Sequence, residues 1–239
     1  MTIRTVPIET GLTALLRSEF SELLDAAGQH RHTPDGEPLF AADIFVSGGL
    51  KSPFARAGEA GPAEIRLRTV GRPTVSNGVV RLDGDVKLST WSQRQRGVVR
   101  TDAVLTAQRV TNTSDRPQMR GPLAVAWDQQ VPVMFLDYVA SQRQGEPGLA
   151  TVGIAPVEGS PWVVDGLGEL HVTTPPSTDL FPGTEVTLHD LVAAFFVPDE
   201  GGRDAARLVL GCSRIEARNA PSARKAKHEQ APEPVAVEG

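Results

Sequence analysis

Apolar and polar residues alternate along much of the chain, as in Val80-Arg81-Leu82-Asp83 and Val86-Lys87-Leu88, the period-two pattern of a strand with one buried face. Such runs fall at 39–46, 64–70, 79–91, 98–111, 123–127, 131–139, 149–155, 162–164, 169–174, 185–197 and 205–216. Clusters of Gly, Pro, Asn and Asp separate them, among them Gly48-Gly49 and the stretches 57–62, 73–78, 145–148 and 175–177. Many short strands with frequent turn signals predict a mostly β protein built of barrels or sandwiches. One segment departs from this. In TGLTALLRSEFSELLDAA (10–27), Leu12, Leu15, Leu16, Phe20, Leu23, Leu24 and Ala27 recur at helical spacing, and Gly28 follows as a C-cap. Arg17, Glu19, Glu22 and Asp25 fall mostly off that stripe, so the spacing predicts an N-terminal helix resting its apolar face on a sheet.

The second half echoes the first. VVRLDGDVKLSTW (79–91), a loop and AVLTAQRVT (103–111) resemble EVTLHDLVAAFFV (185–197), a loop and RLVLGCSRIEA (207–217). Val80, Leu82 and Val86 match Val186, Leu188 and Val192 at an offset of 106, and Leu105, Arg109 and Val110 match Leu210, Arg214 and Ile215 at 105. One deletion reconciles the two, as expected of a repeated β module. The organisation read from the chain is an N-terminal helix (1–29), two related barrel-like antiparallel modules (30–116 and 117–219) and a tail (220–239). The tail, APSARKAKHEQAPEPVAVEG, has no apolar periodicity and is expected to be disordered.

Charge divides these modules. The 239-residue chain carries a net −5, yet residues 30–116 hold 13 Lys+Arg against 9 Asp+Glu, a net +4, while 117–219 hold 6 against 13, a net −7. Such asymmetry fits a nucleic-acid partner for the basic module and marks the acidic one as the candidate surface for a protein partner. A single cysteine, Cys212, allows no internal disulfide, and the start MTIRTVPIETG has neither the basic opening nor the apolar run of a signal peptide. No run approaches the roughly 18 apolar residues of a membrane-spanning helix, so a cytoplasmic protein with no membrane partner is expected. Self-association into a homo-oligomer stays open.

Catalytic patterns fail one by one. Gly48-Gly49-Leu50-Lys51-Ser52 lacks the glycine directly before lysine that a phosphate-binding loop requires, and reads as a turn. His30 and His32 would share a face if extended, but no third ligand stands at a suitable spacing. Asp83 and Asp85 are expected on one strand face, where a carboxylate pair could hold a cation or exchange protons. Cys212 sits in an apolar run as a buried thiol. No nucleophile elbow, zinc-protease helix or dinucleotide fingerprint occurs. The expectation is a binding protein with no cofactor and no metal, not an enzyme.

The stretch KLSTWSQRQRGVVRTDAVLTAQRV (87–110) gives that expectation its content. Arg66 and Arg68, two apart, share a strand face, and Lys87, Trp91, Arg94, Arg96 and Arg100 gather on one hairpin. Cations that track phosphates beside a flat aromatic are what a single nucleic-acid strand needs, and arginine supplies both charge and a stacking plane. The order TPDGEPLFAADIFV (33–46), VVRLDGDVKLSTW, a short basic loop ending in Gly97, and VVRTDAVLTAQRV (98–110) resembles the OB-like replication, integration and excision activators of actinobacterial integrative plasmids. The resemblance covers about 80 residues of the first half; this chain is longer and begins with an extra helix. It implies OB-like modules and a DNA-linked role for Trp91, Arg94 and Arg96. The reading is sequence-tolerant binding of single-stranded DNA or RNA in plasmid or phage replication or transfer. Its first rival is a structural or assembly protein of a phage or mobile element that self-associates through the same modules; a barrel that lines its interior to bind a small molecule, and an enzyme whose residues gather only in three dimensions, are the others.

Overall fold

The computed structural model describes residues 2–76, 78–95, 98–127, 132–142, 146–154, 169–175, 180–198 and 205–218. The run at 162–164 and the tail from 220 lie outside them. The described chain is mostly β, and its sole helical element is a 3-10 turn at Ala57–Glu59. The strands in order are β1 (Thr2–Ile8), β2 (Leu12–Leu16), β3 (Ser21–Glu22), β4 (Leu39–Gly49), β5 (Gly61–Val70), β6 (Val79–Asp83), β7 (Val86–Gln95), β8 (Val98–Ala107) and β9 (Arg109–Asn112). They continue with β10 (Leu123–Ala124), β11 (Val133–Val139), β12 (Gly148–Ile154), β13 (Glu169–Thr174), β14 (Glu185–His189), β15 (Val192–Phe196), β16 (Arg207–Gly211) and β17 (Arg214–Ala217).

No helix forms at 10–27. Leu12, Ala14 and Leu16 point inward from β2, whose backbone bonds to β4 on one side and β6 on the other. Leucines four apart satisfy both a helix and a strand, so Leu12 and Leu16 cannot tell the two periods apart. The pairing decides: a helix here would leave the facing edges of β4 and β6 without hydrogen-bond partners. Gly11, at φ +88°, makes the bend into β2, and Leu24 ends 49 % exposed rather than on a buried stripe. Residues 23–38 instead run as a ribbon of tight turns. In the first, the Asp25 carboxylate accepts the N–H groups of Ala27 and Gln29 at 2.8 and 2.9 Å.

Strand pairing closes a ring in the first half. β1 and β2 follow one register along β7 and β6, β8 and β9 line the other side of that pair, β8 lies parallel to β5, β5 pairs β4, and β4 returns to β2. The second half repeats the connectivity. β10 and β11 pair β15 and β14, these pair β16 and β17, β16 lies parallel to β13, β13 pairs β12, and β12 returns to β11. The long apolar runs break at matching places. Gly84 between β6 and β7 has φ +77°, and Asp190 between β14 and β15 has φ +49°. Inward residues such as Val80, Leu82, Leu88 and Leu105 in one ring and Val133, Val152, Val172 and Leu188 in the other join a single core.

The rings touch closely. Ile8 bridges Val125, and Leu50 N–H donates to the Phe195 carbonyl at 2.8 Å. Gly48-Gly49 is therefore not a loop turn but the bulged end of β4, wedged against the second ring. A Cβ on Gly48 would sit 2.9 Å from Leu123 Cγ, and one on Gly49 would sit 2.3 Å from Ala63 Cβ, so only glycine fits at both. Leu50, Ala57 and Ala60 then cover Ala194 and Phe196 on the outer side of β15.

Candidate nucleic-acid interface

The outer face of β4, β5, β8 and β7 carries the arginines. Alternation turns Ile65, Leu67 and Thr69 inward and leaves Glu64, Arg66 and Arg68 outward on β5. Register sets Arg66 opposite Asp43 on β4 and Val104 on β8, Arg68 opposite Ala41 and Thr106, and Glu64 opposite Phe45. On β7, Trp91 lies across from Asp102 and Lys87 across from Thr106, so both share this face by the period of two. Arg17, between β2 and β3, adds to it: its guanidinium stands 5.6 Å from the Phe45 ring centroid, a cation–π contact.

The charges here differ in how far they are already satisfied. Arg66 donates from both Nε and Nη2 to Asp43 Oδ1 at 3.2 Å, in an ion pair that is roughly half exposed. Arg68 is more deeply set, and its Nε is buried without an acceptor among the described residues. Burial first, then the neighbouring Arg31 cation, lowers its pKa below the usual guanidinium value; Asp102 opposes this and Arg66 adds to it. Asp102 is pushed above the ordinary carboxylate range chiefly by burial, against the Ala103 N–H and the Arg68 and Arg66 charges, with Asp43 adding a further upward push. A cation cluster with an unmet buried donor is poised for an oxyanion that can reach it.

Of the residues singled out from sequence, Arg66, Arg68, Lys87 and Trp91 come together on one sheet face. Lys87 is held by Asp85 at 2.6 Å. The backbones of Arg94 and Arg100 lie in the β7–β8 hairpin, opposite Val99 and Gln93, while Arg96 and the side chains of the other two fall outside what is described. Sequence reasoning missed Arg17, Arg31 and the partnership of Phe45. The first two sit in the segment misread as a helix or left as a polar loop, and their contacts reach far along the chain.

The other candidate chemistry disperses. Asp83 and Asp85 do not form a pair on one strand face, because the left-handed Gly84 breaks the strand between them. Asp83 accepts from Arg81 Nε at 3.1 Å, and Asp85 turns to Lys87. His30 pairs with Glu22, its ring 6.3 Å from that of His32. Among the described residues no three His, Cys, Asp or Glu side chains gather as a metal site, and no helix is long and apolar enough to cross a membrane. Burial raises the pKa of the Cys212 thiol.

No protein-family model matches the chain, and no curated protein does. Among solved structures it is similar to a deletion mutant of the single-stranded DNA binding protein from Thermus aquaticus, at 13 % identity and a TM-score of 0.44, covering 91 % of this chain and 94 % of that one. It is likewise similar to the wild-type form of that protein, at 13 % identity and a TM-score of 0.41, covering 94 % and 96 %.

Proposed function

We propose that this protein binds single-stranded DNA without strong sequence preference, through the outer face of β4, β5, β8 and β7. The observation that carries the reading is Arg68: a half-buried guanidinium with an unpartnered Nε, beside Arg66 and Arg31, on a face that also presents Trp91 and the Arg17–Phe45 stack. Phosphate oxygens complete the donors of Arg68 and Arg66, bases stack on Trp91 and on the Arg17 plane, and no bond is made or broken. Lys87 extends the cationic edge along β7, and Arg94, Arg96 and Arg100 are assigned to binding the same DNA strand. Each ring is, on this proposal, an OB-type five-stranded barrel, in which the second and third long strands and the loop between the fourth and fifth receive oligonucleotides. In this chain those are β4, β5 and the β7–β8 turn. The two rings descend from one duplicated module, and replication or transfer of a mobile element would supply the strands.

Fluorescence anisotropy with labelled oligo-dT, mixed-sequence DNA, the same sequence as RNA, and duplex DNA tests this. Tighter binding to both single-stranded DNAs than to duplex, weakening linearly in log-log with salt, is expected. Equal affinity for duplex, a preference for RNA, or no binding at low salt would overturn it.

A further inference from the structure

We propose that the cleft between the two rings is a second, separate subsite for the same single strand; the inference rests on the nucleic-acid reading above. The cleft has a volume of about 680 Å³ and is walled by the end of the first ring, the segment before the 3-10 turn, and the outer faces of β12, β13 and β16. β12 and β13 hold the same place in the second ring's connectivity that β4 and β5 hold in the first.

What lines it suits a nucleotide. Phe54 is 86 % exposed, Val139 59 % and Leu149 42 %, and all three open onto this one space. That is half of the large apolar side chains left exposed among the described residues, a concentration that isolated surface hydrophobics do not produce. Arg4 from β1 and Arg207 from β16 reach the same cleft and have no ion pair among the described residues, whereas Arg56 is already held by Glu146 at 2.5 Å. His171, joined to Thr151 at 3.2 Å, supplies a polar edge. A flat aromatic sharing one cleft with two guanidinium groups that have no ion pair among the described residues takes a base and its flanking phosphates, and a purely apolar ligand would leave both cations unused. The local sign is thus positive although residues 117–219 carry a net −7.

The two subsites are not one surface. Arg4, Thr90 and Ser92 face the cleft, while Trp91, adjacent to both in β7, faces the other way. A short strand fills one site, and a strand long enough to round the β7–β8 hairpin fills both. Since one OB-type barrel occupies roughly 4–16 nucleotides, oligo-dT of about 8 and about 30 nucleotides separates the cases.

The test compares F54A/R207A with R68A/W91A in the full chain, by anisotropy with both oligonucleotides. Crosslinking of the wild type to a long oligonucleotide carrying 5-iodouracil, with mass-spectrometric mapping, accompanies it. Phe54 and Arg207 are exposed, so the first variant keeps the fold, which its thermal midpoint verifies. Expected are a loss of about tenfold or more for the long oligonucleotide in F54A/R207A, little change for the short one, and a crosslink at the peptide containing Phe54. Long-oligonucleotide affinity within twofold of wild type, with crosslinks confined to peptides of β4, β5 and β7, overturns the cleft and leaves the first face standing. Short-oligonucleotide binding lost in F54A/R207A but kept in R68A/W91A does the reverse. No binding by the wild type overturns both.

Discussion

Replacing Arg68 and Arg66 separately by alanine probes the proposed face, because the structure gives these neighbours unequal work. Arg66 is the more accessible, yet its Nε and Nη2 already donate to Asp43, and a phosphate taken by that edge of the guanidinium must displace the carboxylate. Arg68 brings a buried Nε with no acceptor, so a phosphate toward which the guanidinium turns satisfies a donor that folding left unmet. A hydrogen bond to a charged group contributes about 1.5–3 kcal/mol, so R68A should weaken oligo-dT binding roughly 10- to 150-fold at low salt. For R66A the gain is offset by the exposed pair that must break, about 0.2–1 kcal/mol, and the loss should be smaller by roughly 1.4- to 5-fold. Each variant should flatten the slope of log affinity against log salt by about 0.7 per phosphate contact removed. Anisotropy titrations at four or five salt concentrations measure both quantities, with the thermal midpoint recorded alongside to separate lost binding from lost folding. A larger loss in R66A than in R68A, or unchanged slopes in both, would refute the assignment of the unmet donor to phosphate capture.

Three further outcomes follow from the same geometry. Because burial raises the Asp102 pKa, this carboxylate loses its charge as pH falls from neutrality; oligo-dT affinity should rise on acidification, and D102N should bind more tightly at neutral pH with a flatter profile. The sign for folding agrees: a raised folded-state pKa contributes stability below the unfolded value that is lost as pH rises through the folded one, so denaturation midpoints of wild type and D102N should converge at low pH. Trp91→Ala should cost about 1–3 kcal/mol of binding in anisotropy titrations while leaving the salt slope unchanged, since stacking releases no counterions, and Phe45→Ala, which removes the ring that seats the Arg17 plane, should weaken binding in the same assay. Leu105→Ala, at a side chain with no exposed surface, should destabilise folding by about 2–5 kcal/mol in urea titration, with the cost set by how far the first ring can collapse around the gap.

The strands were legible because alternation persists wherever a ring has one wet face, as at Val80-Arg81-Leu82 and Val186-Thr187-Leu188. Their order was not. The parallel contacts of β5 with β8 and of β13 with β16 each join residues nearly 40 apart with no local signal, and without them neither ring closes. The helix at 10–27 was misread for a related reason: leucine's helical preference and its i, i+4 spacing are local, and the open edges of β4 and β6 outweigh them. At the candidate site, Arg66 and Arg68 could be placed on one face because period two is a local rule. Arg17 could not be set over Phe45, nor Arg31 beside Arg68, because each contact depends on a loop folding back across a strand.

The matching breaks in the two rings allow a direct test of their equivalence. Gly84 is left-handed, and a Cβ there would lie 2.5 Å from Gln108 Oε1 and 3.0 Å from Gln108 Cβ. At the position 106 residues on, Asp190 takes the same left-handed conformation, and Ser213, which is 105 residues after Gln108, donates from its hydroxyl to the Asp190 carboxylate at 2.6 Å. The second ring thus offsets the cost of a side chain at this bend with a hydrogen bond that a smaller neighbour makes room for. G84D alone should destabilise by about 1–2 kcal/mol, from left-handed strain and the crowding of Gln108. Q108S alone removes only an exposed side chain and should lie within about 0.5 kcal/mol of wild type. If the rings are built alike, G84D/Q108S recreates the Asp–Ser contact and recovers stability beyond the sum of the singles, with a coupling of about 0.5–3 kcal/mol in a double-mutant cycle by urea denaturation. Strict additivity would mean that the two bends share a backbone conformation without sharing an environment.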